Sequence, residues 1–137
     1  MNEKVICFII DKTPMKIKGL VWLGTRTAQF EQMLTFCQDV LGLAGELVEP
    51  GFAILDMPNG DSFEIFGPGS TYNPFYTHPV VGFLVDDIAA ARAELEAARI
   101  EFLDPIHIEE DGNAWTHFRA PDGFIYSLVV VPGHPSQ

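Results

Sequence analysis

Few side chains in this sequence can do chemistry, and none falls into a familiar catalytic spacing. Glu64 is a carboxylate in the mostly apolar run Ser62 to Phe66, where a charge requires a partner or a ligand, and Arg26 and Arg119 are the candidate partners. His117 stands alone in the run Ala114 to Arg119, as an imidazole that bonds a neighbour would. Ser127 has no histidine–acid pair beside it in sequence, so nothing there activates it as a nucleophile. Cys7 and Cys37 form no C-x-x-C pair, and Cys37 falls on the apolar stripe of a helix, where a thiol behaves as a small hydrophobe. Trp22 and Trp115 offer flat apolar surfaces. Glu109-Glu110-Asp111 reads as the solvated tip of a hairpin.

The chain that carries these residues has 137 positions and 47% hydrophobic content, enough for one domain to bury a core without disulfides or a structural metal. Lys and Arg number 8 against 19 Asp and Glu, a formal charge of -11. A protein that must collect phosphates would work against that field, so nucleic acid is excluded as an expected partner. Four lysines lie in the first 18 residues; beyond them four arginines face 17 acids, a balance of -13 that favours cationic ligands. Two unpaired thiols suit a reducing compartment, and the cytoplasm is the expected location. Val5 to Ile10 is too short an apolar run to span a bilayer. Residues 1–14 read as an added arm, β-prone and ending at Asp11-Lys12-Thr13-Pro14, able to pair with a sheet edge or with another subunit.

After the arm, Lys18 to Thr25 predicts a strand. Phe30, Met33, Leu34, Cys37 and Leu41 recur at helical steps, with Thr27 as N-cap and Gly42 as stop. Glu46 to Glu49, Phe52 to Met57 and Ser62 to Phe66 are short strands parted by Pro50-Gly51 and Pro58-Asn59-Gly60. A turn-rich loop follows from Gly67 to His78, and then the order repeats. Val80 to Val85 is a strand, Asp87 caps a helix whose Ile88, Ala91, Leu95 and Ala98 share a face, and Ile106 to Glu109, Ala114 to Arg119 and Phe124 to Val130 are strands. Asp111-Gly112 is a hairpin turn. Pro58-Asn59-Gly60 and Pro121-Asp122-Gly123 stand 63 residues apart, each before the last strand of its half, so the sequence reads as an internal duplication of a βαβββ unit.

Leu34 to Leu43, Pro58 to Glu64, Val80 to Asp87 and Ala120 to Gly123 together resemble the vicinal oxygen chelate superfamily, the glyoxalase, bleomycin-resistance and extradiol-dioxygenase group. The resemblance covers residues 17–131. It implies an α+β fold: two tandem βαβββ modules, at 17–69 and 77–133 within a single 15–137 domain, forming a curved, roughly eight-stranded mixed sheet with helices outside and a ligand cavity inside. Enzymes of the group hold a divalent metal at four positions, which by the same resemblance are Trp22, Glu64, Val80 and Ser127 here. Only Glu64 is a ligand by chemistry, since indole and valine lack a lone pair to give and a neutral hydroxyl anchors poorly.

The resemblance therefore implies the metal-free, bleomycin-resistance-like branch. The expectation is a homodimeric, metal-independent binder of an aromatic or cationic small molecule, with no cofactor and no assigned reaction. The resemblance turns Trp22, Glu64 and Ser127 inward; strand alternation from them adds Arg26 and Phe66, and the family's registration of the preceding strands implies Phe52, Asp56, Trp115, His117 and Arg119 as the rest of the expected ligand-binding face. The alternative is a metal-dependent lyase, isomerase or dioxygenase whose site has moved to Glu64, His78 and His117. A further alternative is an interaction module built on a swapped arm.

Overall fold

The computed structural model describes residues 15–77 and 79–137, so the expected arm over 1–14 and His78 lie outside the described residues. The first half runs β1 (Gly19–Arg26), a short helix α1 (Phe30–Thr35), β2 (Ala44–Glu49), β3 (Phe52–Asp56) and β4 (Ser62–Phe66). The second runs β5 (Val80–Leu84), α2 (Ile88–Ala97), β6 (Glu101–Phe102), β7 (His107–Ile108), β8 (Ala114–Arg119) and β9 (Ile125–Val130). The α+β fold that the resemblance implies is present as one mixed sheet of nine described strands. The count exceeds eight because two-residue β6 and β7 both pair with β8, where a single strand over Ile106 to Glu109 was expected.

The duplication is visible in the pairing. Each half lays its first strand parallel to its last, β1 on β4 and β5 on β9, and the halves join where β1 runs antiparallel to β5. The sheet order is β2-β3-β4-β1-β5-β9-β8-β6. Even the tight turns repeat: Asn59 Oδ1 accepts from the Asp61 N–H and Asp122 Oδ1 accepts from the Phe124 N–H, both at 3.0 Å. Gly60 and Gly123, at φ of +94° and +89°, supply the left-handed residue that such a turn needs.

Strand alternation sorts each strand between two cores. Ala53, Leu55 and Ile65 are buried against Phe30 and Cys37 of the first helical segment, while Ala114, Phe118 and Leu128 are buried with Ile88 and Ala91 of α2. Their neighbours along the same strands, Phe52, Glu64, Phe66, Trp115, His117 and Ser127, face the opposite side, where they line a cavity.

The first helix departs from the expected period. After Thr35 it widens into a π turn over Phe36–Val40, which rotates the following residues and leaves Leu41 exposed while Cys37 is fully buried. Its N-cap is Gln29, with no side-chain cap; Thr27 Oγ1 instead accepts from the Gln29 N–H at 3.0 Å. Gly42, at φ +71°, does end the segment. The second helix follows its sequence signal: Asp87 Oδ1 accepts from the Ala90 N–H at 3.0 Å. Asp87→Ala should cost about 1 kcal/mol in a urea melt, and Asp87→Ser should recover most of it.

Candidate functional site

The inner face of the sheet encloses a cavity of about 440 Å³. β1 brings Trp22, β3 Phe52 and Ile54, β4 Ser62, Glu64 and Phe66, β8 Trp115 and His117, and β9 Ser127 and Val129. The pairing explains the convergence, since Gly24 lies beside Glu64, Trp22 beside Gly82, Gly82 beside Ser127, and Ser127 beside His117. Seven of the residues expected on this face therefore line one space: Trp22, Phe52, Glu64, Phe66, Trp115, His117 and Ser127.

Arg26, Asp56 and Arg119 are not among the lining residues. All three close their strands, where parity still points inward but the backbone is leaving the cup. Arg26 is exposed and donates from Nη1 to the Tyr76 carbonyl at 3.3 Å, and Asp56 is exposed. Arg119 donates to the Gly123 carbonyl at 2.9 Å and stands 3.7 Å from Glu101. Neither arginine is therefore the partner that Glu64 was expected to have.

Trp22 does not simply project into the cavity. A Cβ placed on Gly82 would fall 2.1 Å from its Nε1, and one on Gly24 2.5 Å from its Cζ3. The indole therefore lies flat across β1 and β5, in the room that two glycines leave. Its edge meets Tyr76, with centroids 5.9 Å apart. Phe52 and Phe66 stack at 4.9 Å, and Phe66 and Tyr76 stand at the same separation.

Tyr72 and Tyr76 were not anticipated. They flank a single 3₁₀ turn, Asn73–Phe75, in the stretch read only as a loop, and they fold over the cup as part of its wall. The aromatic spacing Tyr72, Phe75, Tyr76 inside a turn-forming segment is the signal that could have found them. Burial raises both hydroxyls above the usual tyrosine range, with Glu64 and Asp104 adding to the effect; a hydrogen bond with Trp115 partly offsets it at Tyr72.

Among these walls the Glu64 carboxyl is pushed up to about 7, because the surrounding apolar surface withholds the water that would solvate its charge. Glu49 and Glu109 also line the cavity, so all three of its acidic side chains would draw a cation toward it.

His117 is 3% exposed and holds a partner that sequence distance concealed. Its Nδ1 lies 2.6 Å from Oδ2 of Asp104, in the loop between β6 and β7. Asp104 Oδ1 accepts from the His117 N–H at 2.8 Å and the Thr116 hydroxyl at 3.1 Å, and the Asp104 carbonyl accepts from Arg92 of α2. An ionised carboxylate only accepts, so the shared proton sits on Nδ1. Across the strand pair, the Ser127 Oγ is buried with no hydrogen-bond partner among the described residues. The fold thus sets a histidine–acid pair on the strand beside Ser127, with no hydrogen bond between the imidazole and the hydroxyl.

A two-module, inward-curving mixed sheet with helices on its outer face and a single-sided cup defines the class. The model of the glyoxalase/bleomycin resistance protein/dioxygenase superfamily matches residues 19–126, and the chain belongs to that superfamily. No curated protein sequence matches it. Among solved structures, methylmalonyl-CoA epimerase from Mycobacterium tuberculosis aligns at 17% identity over 87% of this chain and 91% of the other, with a TM-score of 0.63. A methylmalonyl-CoA epimerase in complex with methylmalonyl-CoA and NH4+ aligns at 16% identity over 89% and 100%, with a TM-score of 0.64. A superfamily member from Vibrio splendidus 12B01 aligns at 17% over 80% and 96%, with a TM-score of 0.57. Likeness at these identities carries the fold and leaves the ligand open. Among the described residues no helix is long and apolar enough to cross a membrane.

The divalent metal associated with this fold does not fit the residues present. Trp22, Glu64 and Ser127 converge on the cup, yet only Glu64 brings a usable donor, and Val80 has none in any orientation. The indole ring moreover lies over β5 at Gly82, the strand that would present another of the ligands.

Proposed function

We propose that this chain is a metal-independent small-molecule-binding protein that takes an aromatic or cationic organic compound into the cup, and that it works as a homodimer. The observation that carries the reading is the Trp22 indole seated across Gly24 and Gly82, a flat apolar floor at a position where an enzyme of this fold would place a metal ligand. Phe52, Phe66, Tyr76 and Trp115 supply walls of the same kind, suited to stacking on a planar guest. Glu49, Glu64 and Glu109 favour a positive charge on that guest, which the aromatic faces would also attract.

The test is thermal unfolding with planar cationic dyes of the acridinium type. A guest held at a hundred times its dissociation constant adds about 2.7 kcal/mol to stability. A clear rise in the unfolding temperature of the wild type, lost in Trp22→Ala, is the expected result. Metal analysis of protein purified without chelator separates this reading from the relocated metal site at Glu64, His78 and His117. A stoichiometric divalent ion that disappears in both Glu64→Ala and His117→Ala would replace the binder with a metalloenzyme.

A further inference from the structure

The two walls of the cup differ in chemistry. Its first-module wall is mostly rings with two carboxyls, Glu49 and Glu64, whereas its second-module wall presents, besides Glu109 and Asn113, the side chains of His117 and Ser127, each with a polar atom that takes no hydrogen bond among the described residues. His107 is exposed and paired with Glu109, and both ring nitrogens of His134 are engaged, by Asp61 at 2.8 Å and by the Ser136 N–H at 3.0 Å. His117 differs. Its Nδ1 is committed to Asp104, while no hydrogen bond from the described residues reaches Nε2, and the ring lines the cavity. With the proton on Nδ1, Nε2 is a hydrogen-bond acceptor. Directly across the β8–β9 pair, Ser127 is 1% exposed and lines the same cavity, and its Oγ is buried with no hydrogen-bond partner among the described residues. Opposed residues of an antiparallel pair hold their Cβ atoms about 5 Å apart, so one ligand atom can meet both side chains. Leaving two buried polar groups unmatched is costly, and a guest that satisfies both recovers that cost.

We propose that His117, oriented by Asp104, and Ser127 form a recognition site for the hydroxyl of a planar phenol or enol: the ligand O–H donates to Nε2 of His117, and its oxygen accepts from the Ser127 hydroxyl. The rest of the ring stacks on the aromatic walls, with Tyr72 and Phe75 holding the imidazole from the side at centroid distances of 5.7 and 5.3 Å. Asp104 is a positioning residue, rigid because its Oδ1, Oδ2 and carbonyl are all engaged. The inference rests on the cup being a binder of aromatic compounds, and it names the hydroxyl as what that binder selects.

Equilibrium dialysis of the full chain against 2-naphthol and 2-methoxynaphthalene tests it, because the methyl ether keeps the ring and removes the donated proton. The wild type should bind the naphthol at least about tenfold more tightly than the ether. In His117→Phe and Ser127→Ala that ratio should fall toward one with the ether's own affinity little changed, an outcome that general damage to the fold would not give. Asp104→Asn is the finer probe. Oδ1 is fixed as an acceptor by the His117 N–H and Thr116, so the amide NH2 would face Nδ1 and drive the imidazole proton to Nε2. Preference for the naphthol should be lost there as well, with far-UV circular dichroism unchanged. Equal wild-type affinity for the two compounds, or a ratio unmoved in His117→Phe and Asp104→Asn, would overturn the hydroxyl site and leave the aromatic cup standing. Failure of both compounds to bind would overturn the cup and this inference with it.

Discussion

Glu64→Gln should stabilise the protein above pH 7 and do little below about pH 4.5. The folded carboxyl is held up to about 7 against an ordinary value of 4.5, so between these limits the native state keeps a proton that the unfolded chain has released. Stability therefore falls as pH rises through this window, and above it the full cost of ionising an enclosed carboxylate is present. At about 1.36 kcal/mol per unit, that cost is on the order of 3 kcal/mol at most. Glutamine keeps the shape without the charge and should recover much of it. Urea denaturation of both proteins on either side of the window measures the effect; a gain of the same size at both pH values would show that ionisation is not its source. A cationic guest in the cup reverses the sign for binding. It lowers the carboxyl's proton affinity, so acridinium affinity should rise with pH toward and through about 7 in the wild type and stay flat in Glu64→Gln.

Gly82→Ala comes next in expected size. Its methyl group would fall 2.1 Å from Trp22 Nε1 and 2.6 Å from Cδ1, so the indole must lift from the sheet or the two strands must part. Overpacking of this kind costs about 1–3 kcal/mol. The ring would be pushed toward the cavity, so loss of acridinium binding should accompany the loss of stability. Adding Trp22→Phe to Gly82→Ala should restore part of the stability, because a smaller ring leaves room for the methyl group; the double-mutant cycle reads that coupling directly. Additive effects of the two substitutions would mean that the indole does not rest on Gly82.

Much of the architecture could be read along the chain because its signals are local. Ser62 to Phe66 and Ala114 to Arg119 form strands over the very residues expected, each bounded by turn chemistry that only a few residue types satisfy. Asp87 caps its helix as its side chain and position imply. The echo of Pro58-Asn59-Gly60 in Pro121-Asp122-Gly123 marks two turns with the same side-chain bond, and through them the duplication. The first helix was less legible. Periodicity assumes an α geometry throughout, and the π turn after Thr35 broke that assumption. At Arg26, Asp56 and Arg119 parity reached too far, since alternation states which side of a strand a residue faces and not whether the cup is still there at its end.

Composition, turn residues and local periodicity by themselves determined the two equivalent βαβββ halves, because each element depends on neighbours within a few positions, and the family resemblance carried by the sequence added the α+β class and the side of the sheet on which Trp22, Glu64, His117 and Ser127 fall. Only the tertiary structure decided what those side chains meet. Asp104 reaches His117 across 13 positions through a loop, Tyr72 and Tyr76 close the wall from a segment with no regular period, and Trp22 of β1 lies on Gly82 of the other module. Such contacts depend on how the strands curve and pair over long sequence separations, and sidedness along a single strand carries no information about that.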